Sequence, residues 1–207
     1  MRISEKTVEI NFCKGLPSII GKSIFWFGLT QKQEAQAGFD VCTKLSGTLV
    51  LFQIKASRVI LKNGARRFQA PHDQMQTLRN QVKSNRKIFY VFPSAGTTIE
   101  VCSPDCFSHC SQLLDVSFLP SKIPLPLAKG KTTPRARGVH YVDVTPGLAK
   151  IHSEPFRIKL IPVAQLASIA EELSFIPANN HAQHEFDTFW EAISSISRES
   201  LYGAVIT

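Results

Sequence analysis

Two apolar runs joined by Ser46-Gly47 constrain this 207-residue chain more than any other feature. Gly38-Phe39-Asp40-Val41-Cys42-Thr43-Lys44-Leu45 and Thr48-Leu49-Val50-Leu51-Phe52-Gln53-Ile54-Lys55 read as strands, and the Ser-Gly pair turns them into a hairpin. A two-residue loop pairs Leu45 with Thr48, and counting outward sets Asp40 opposite Gln53. Side chains alternate along a strand, so Lys55 shares the face of Gln53, while Phe39, Val41, Val50, Phe52 and Ile54 supply an apolar core face. A carboxylate, an amide and an ammonium thus gather at one end of the hairpin. Burying Asp40 and Lys55 beside a core is costly unless something offsets their desolvation. A metal ion with a phosphodiester would do so; a plain Asp40–Lys55 salt bridge is the simpler alternative.

Upstream, Thr30-Gln31-Lys32-Gln33-Glu34-Ala35-Gln36-Ala37-Gly38 predicts a short helix, capped by Thr30 and stopped by Gly38. Glu34 then lies six residues before Asp40, near enough to converge on one ion. With Glu34 on a helix, Asp40 opening a strand and Gln53-Ile54-Lys55 on the next, residues 1–101 resemble the PD-(D/E)xK nucleases, in the branch with Gln-x-Lys for Glu-x-Lys. Phe39 stands where the family's proline would be, and Gln53 replaces the last acid, which lowers the negative charge of the site. The resemblance implies a restriction-endonuclease-like α/β core, a mixed central sheet flanked by helices. It implies Mg2+ or Mn2+ held by Glu34, Asp40 and the Gln53 oxygen, hard oxygen ligands suited to such ions. The ion would activate a water, and Lys55 would hold that water or balance charge on the phosphate. Glu9 is the substitute for Glu34 if the first helix lies earlier.

Charge agrees with a polyanionic partner. Lys and Arg number 24 against 16 Asp and Glu, a formal charge of +8, which favours nucleic acid and salt-sensitive binding. Arg58 to Phe68 predicts a second hairpin turning at Asn63-Gly64 and carrying Arg58, Lys62, Arg66 and Arg67. Pro71 opens a helix to about Ser84 with a Met75, Leu78 and Val82 stripe, and His72, Gln76, Arg79 and Lys83 line another face. Lys87 to Pro93 predicts a buried strand. Phe118 to Gly138 contains four prolines and no regular element; its Lys129, Lys131, Arg135 and Arg137 suit either contacts to DNA phosphates or a solvated loop. Val139–Val144 and Phe156–Ile161 alternate as strands, and residues 163–173 and 185–196 have helical periodicity, with His181 and His184 before the last. Residues 102–207 form a C-terminal α+β extension packed on the core.

Five cysteines without a framework spacing suit reduced thiols. Cys102, Cys106, His109 and Cys110 could hold zinc, but Ser103-Pro104-Asp105 opens a helix on which the cysteines recur every four residues as core. Ser23 to Leu29, the most apolar early segment, is too short to span a bilayer and reads as packing under the first helix. No signal core follows the N-terminus, so cytoplasm is expected, with no membrane partner. Phosphate-loop, serine-elbow and zinc-helix motifs are absent. The expectation is a metal-dependent deoxyribonuclease, in defence or mobile-element processing by family association. A second copy of the chain or a partner subunit would be needed for cutting two strands. The alternatives are a non-catalytic nucleic-acid-binding or assembly module that keeps the fold, and a zinc-stabilised interaction protein.

Overall fold

Strands β2 (Val41–Leu45) and β3 (Thr48–Ile54) pair antiparallel in the expected register, Leu45 against Thr48 and Val41 against Phe52. Asp40 lies one step outside β2, and its amide donates to Phe52 O at 3.0 Å, which carries the register on to Gln53. The computed structural model describes residues 1–45, 48–57, 59–83, 86–101, 103, 106–126, 138–152, 156–168 and 204–206. It is a mixed α/β chain with two sheets.

Every residue of β3 is buried, because β3 lies between β2 and the parallel β6 (Arg86–Phe92) with layers on both sides. The hairpin therefore has two core faces, not the one its alternation predicted. Val50, Phe52 and Ile54 pack with Phe89 and Val91 against helix α1 (Glu5–Ile20) through Val8, Phe12 and Leu16. Leu49 and Leu51 pack with Ile88 and Phe92 against Met75 and Leu78 of helix α3 (His72–Asn80) and the second sheet.

The central sheet runs β11 (Ile161–Pro162), β7 (Gln112–Asp115), β6, β3, β2, β1 (Trp26–Gly28) and β12 (Ala204–Ile206). The second is antiparallel: β10 (Phe156–Lys159), β9 (Leu148–Ile151), β8 (Val139–Thr145), β5 (Arg66–Pro71) and β4 (Val59–Ile60). Both sheets draw strands from either side of residue 101. Among the described residues, no helix is long and apolar enough to cross a membrane.

Helix α1 is an addition to the expected elements. The Ser4 hydroxyl accepts from Thr7 N at 3.1 Å and caps its start, and Gly21, at φ 70°, closes it. Helix α2 (Gln31–Ala37) follows Thr30 and ends at Gly38, at φ 80°, as predicted. Residues 23–29 contain strand β1 instead of simple packing, although Trp26 does meet Phe12 of α1 edge-on at 6.4 Å. The hairpin at Asn63-Gly64 forms, with Leu61 N donating to Ala65 O at 2.8 Å.

Pro71 ends β5 opposite Val139, so α3 starts one residue later and stops at Asn80, four short of the expected Ser84. The 156–161 strand breaks into β10 and β11, and the expected helix from Val163 begins as a 3-10 turn at 163–165 that passes into α-helix at 166–168, the last described residues of that segment. The cysteine helix α4 (Cys106–His109) is one turn long; Cys106 is buried but Cys110 is exposed, so the four-residue packing repeat fails there. Cys102, His181, His184 and residues 185–196 lie outside the described residues.

Candidate functional site

At the ends of β2 and β3, Asp40 Oδ2 accepts from Ile54 N at 2.6 Å and from Gln53 Nε2 at 2.9 Å. Gln53 Nε2 also donates to Ile54 O at 3.1 Å, and Gln53 Oε1 accepts from Gln74 Nε2 at 2.9 Å. Gln53 and Lys55 are 1% and 5% exposed, so a polar cluster sits inside the sheet layer as the sequence implied. Asp40, Gln53 and Lys55 therefore come together as expected.

Charge gathers around Asp40 from three directions. Burial raises its pKa from the ordinary 3.8 to about 7; the Ile54 amide and the Lys55 charge pull downward, while Glu9 and Glu34 push it up. Glu34 is itself raised, by burial first and then by Glu9 and Glu5 against Lys6. Glu9, on the face of α1 that packs on β3, is only 4% exposed and takes Lys6 as an ion-pair partner at 2.6 Å. Burial works against the Lys6 charge, but Glu9, with Glu34 and Asp40 behind it, outweighs burial and raises its pKa. So Glu9 joins Glu34 at the site instead of merely replacing it.

Glu9 pushes up the pKa of both Asp40 and Glu34, and a divalent cation would relieve that crowding of negative charge. The donor set fits Mg2+ or Mn2+ in its oxygen chemistry: Asp40, Glu34, Glu9 and an amide. Two features qualify the fit. Among the described residues, no three His, Cys, Asp or Glu side chains already stand as a ligand group. The Gln53 amide turns its nitrogen, not its oxygen, toward Asp40. Gln74 Oε1 and the Tyr90 hydroxyl are buried with no hydrogen-bond partner among the described residues. Tyr90 stands beside Gln53 in the β3–β6 register, and burial, with the Asp40 charge, raises its phenol pKa. If both glutamine amides turned over, Gln53 would present oxygen to Asp40's ion and donate to the orphaned Gln74 oxygen. Gln74 was missed in the sequence because nothing in a solvent-patterned helix marks one glutamine as reaching a strand end.

The expected basic contacts are differently placed. Arg66 is ion-paired with Glu100. Arg67 grips Asp143 with Nε at 2.7 Å and Nη2 at 2.8 Å. Lys62 is exposed in the hairpin turn, while Arg58, Lys129, Lys131, Arg135 and Arg137 lie outside the described residues. On α3, Gln76 binds Ser121 O and Ile123 N, and Arg79 binds Leu119 O at 2.6 Å, so these two tie down residues 119–123. His72 Nδ1 meets His140 Nε2 at 3.0 Å. Compared with protein families, with curated proteins and with solved structures, the chain matches none.

Proposed function

We propose that this chain is a metal-dependent nuclease that hydrolyses DNA phosphodiester bonds, with a restriction-endonuclease-like core inside its central sheet. The observation that carries the reading is the meeting of half-buried Asp40 with buried Gln53 and Lys55 at paired strand ends, within the fields of Glu9 and Glu34. Asp40, Glu34 or Glu9, and the Gln53 oxygen after its amide turns would hold Mg2+ or Mn2+. When bound, such an ion polarises a phosphate oxygen and acidifies a water. Lys55, held in the sheet layer, donates to the attacking water or to the phosphoryl oxygens as their charge grows. Gln74 fixes which end of the Gln53 amide faces Asp40.

A non-catalytic nucleic-acid-binding or assembly module is the second reading. Its support is that the Gln53 amide is engaged at both ends, its nitrogen on Asp40 and its oxygen on Gln74. Cleavage of linear, nicked, single-stranded and branched DNA with Mg2+ or Mn2+, for wild type and Lys55→Ala, separates the two. Cleavage by wild type that drops by about 100-fold or more in Lys55→Ala, with DNA binding kept, is the expected result. Binding without cleavage in both proteins under both metals would overturn the nuclease and leave the module.

A further inference from the structure

Opposite the core, the five-stranded sheet presents a face that the Asp40 site does not use. Its inner side chains, Phe68, Val142, Val144, Ala149, Ile151 and Ile158, are buried. The outer ones form a row fixed by register: Arg67 beside Asp143, Asp143 beside Lys150, Lys150 beside Arg157. Lys159, two residues on, shares the side of Arg157. Lys150, Arg157 and Lys159 are exposed, and Tyr141 is 38% exposed.

Among the described residues of this face the charges do not balance. Asp143 is the acid there, and both of its oxygens are taken, by the two-pronged Arg67 and by His152. No described residue forms an ion pair with Lys150, Arg157 or Lys159. Lys150 and Arg157 stand directly opposite each other, an arrangement that costs stability in a sheet pair. Folding gives no reason for it, because both point to solvent and the core lies on the other side. A polyanion would relieve the repulsion and release counterions as it bound. Beside the row, the Arg67 guanidinium lies 5.4 Å from the centre of the Tyr141 ring, a cation–aromatic pair of the type on which bases stack. A face for lipid would interleave its cations with large apolar side chains; among the described residues of this row, Val59 at the β4 edge is the large exposed aliphatic one.

We propose that the outer face of this sheet binds single-stranded DNA, with phosphates on Lys150, Arg157 and Lys159 and a base against Arg67 and Tyr141. The choice of DNA over RNA rests on the proposed function; the attraction for a single-stranded polyanion does not.

The test is fluorescence anisotropy with a labelled oligothymidine, against oligouridine and vesicles of anionic phospholipid, over a salt series. Wild type, K150E/R157E and K14E/K22E are compared. The last pair makes the same formal charge change at exposed positions of α1 and just beyond it. K150E/R157E is expected to weaken oligothymidine binding by about tenfold or more and to lower the salt slope by about two, while K14E/K22E stays within about threefold. K150Q/R157Q should move the same way to a smaller extent, and matching circular dichroism shows that folding is intact. Equal weakening in both reversed pairs, absence of oligothymidine binding, or tighter binding to oligouridine or vesicles overturns the proposal. Cleavage measured on the same samples keeps the two readings apart. Binding through this face with no cleavage defeats only the nuclease, and cleavage with unchanged binding in K150E/R157E defeats only this inference.

Discussion

Gln74 donates its side-chain amide to the Gln53 oxygen at 2.9 Å, reaching from α3 into the end of the central sheet. Through that bond the helix decides which end of Gln53 meets Asp40. Replacing Gln74 with Leu leaves the buried Gln53 oxygen without a donor, at a cost of about 1–3 kcal/mol. Urea unfolding should show that loss. Cleavage by the folded Gln74→Leu protein should need less metal than wild type, since the bond from Gln74 holds the Gln53 oxygen away from Asp40. An unchanged metal dependence would make Gln74 a packing residue only.

Gln53→Glu tests the missing acid. Without metal, a second carboxylate beside Asp40 replaces a hydrogen bond with repulsion, so the melting temperature should fall in chelator. With Mg2+ the added charge should tighten the ion by about tenfold or more, and the melting temperature should rise further than in wild type. If Mg2+ shifts neither protein, these oxygens do not form an ion site.

Glu9 and Glu34 both act on Asp40, but Glu9 is the more deeply placed, at 4% exposure. A carboxylate already desolvated loses less on meeting an ion. Glu9→Gln should therefore reduce the Mg2+-induced rise in melting temperature more than Glu34→Gln. The reverse order would assign the third ligand to the helix before β2.

The difference in how α1 and α2 could be read from sequence is physical. The polar 31–37 run between Thr30 and Gly38 carries its cap and its stop in adjacent residues. Helix α1 contains Gly15 and Pro17 and the β-branched Thr7, Val8 and Ile10, which mask its period; packing of Phe12 and Leu16 on β3 supplies what local preference lacks. Register is local, so Asp40, Gln53 and Lys55 could be aligned by counting from a two-residue turn. Gln74, Glu9 and the Asp143 partner of Arg67 come from distant segments, and no spacing encodes them. The same limit explains β3, whose second buried face exists only because β5, β8 and α3 fold over it.

Acid–base balance gives a last prediction, in which half-buried Asp40 and buried His140 oppose each other. Asp40 titrates at about 7 in the folded chain against an ordinary 3.8, through burial first and nearby acids second. Between those values the unfolded chain loses a proton that the folded chain keeps, so Asp40 makes stability fall as pH rises. His140 behaves in the opposite sense. Burial, with His72 beside it, lowers its pKa from 6.5 to about 4, so the unfolded chain takes up a proton that the folded chain refuses, and stability falls as pH drops. The windows overlap from about 4 to 6.5, and wild-type stability should be nearly flat across them. Asp40→Asn keeps an acceptor for Ile54 N and removes one slope, leaving a protein that gains stability as pH rises. His140→Gln keeps a polar partner for His72 and leaves the other slope, a loss on the order of 3 kcal/mol as pH rises from about 4 to 7. Urea midpoints for the three proteins over that range measure both. Profiles for the two variants that run parallel would show that neither group titrates as its surroundings dictate.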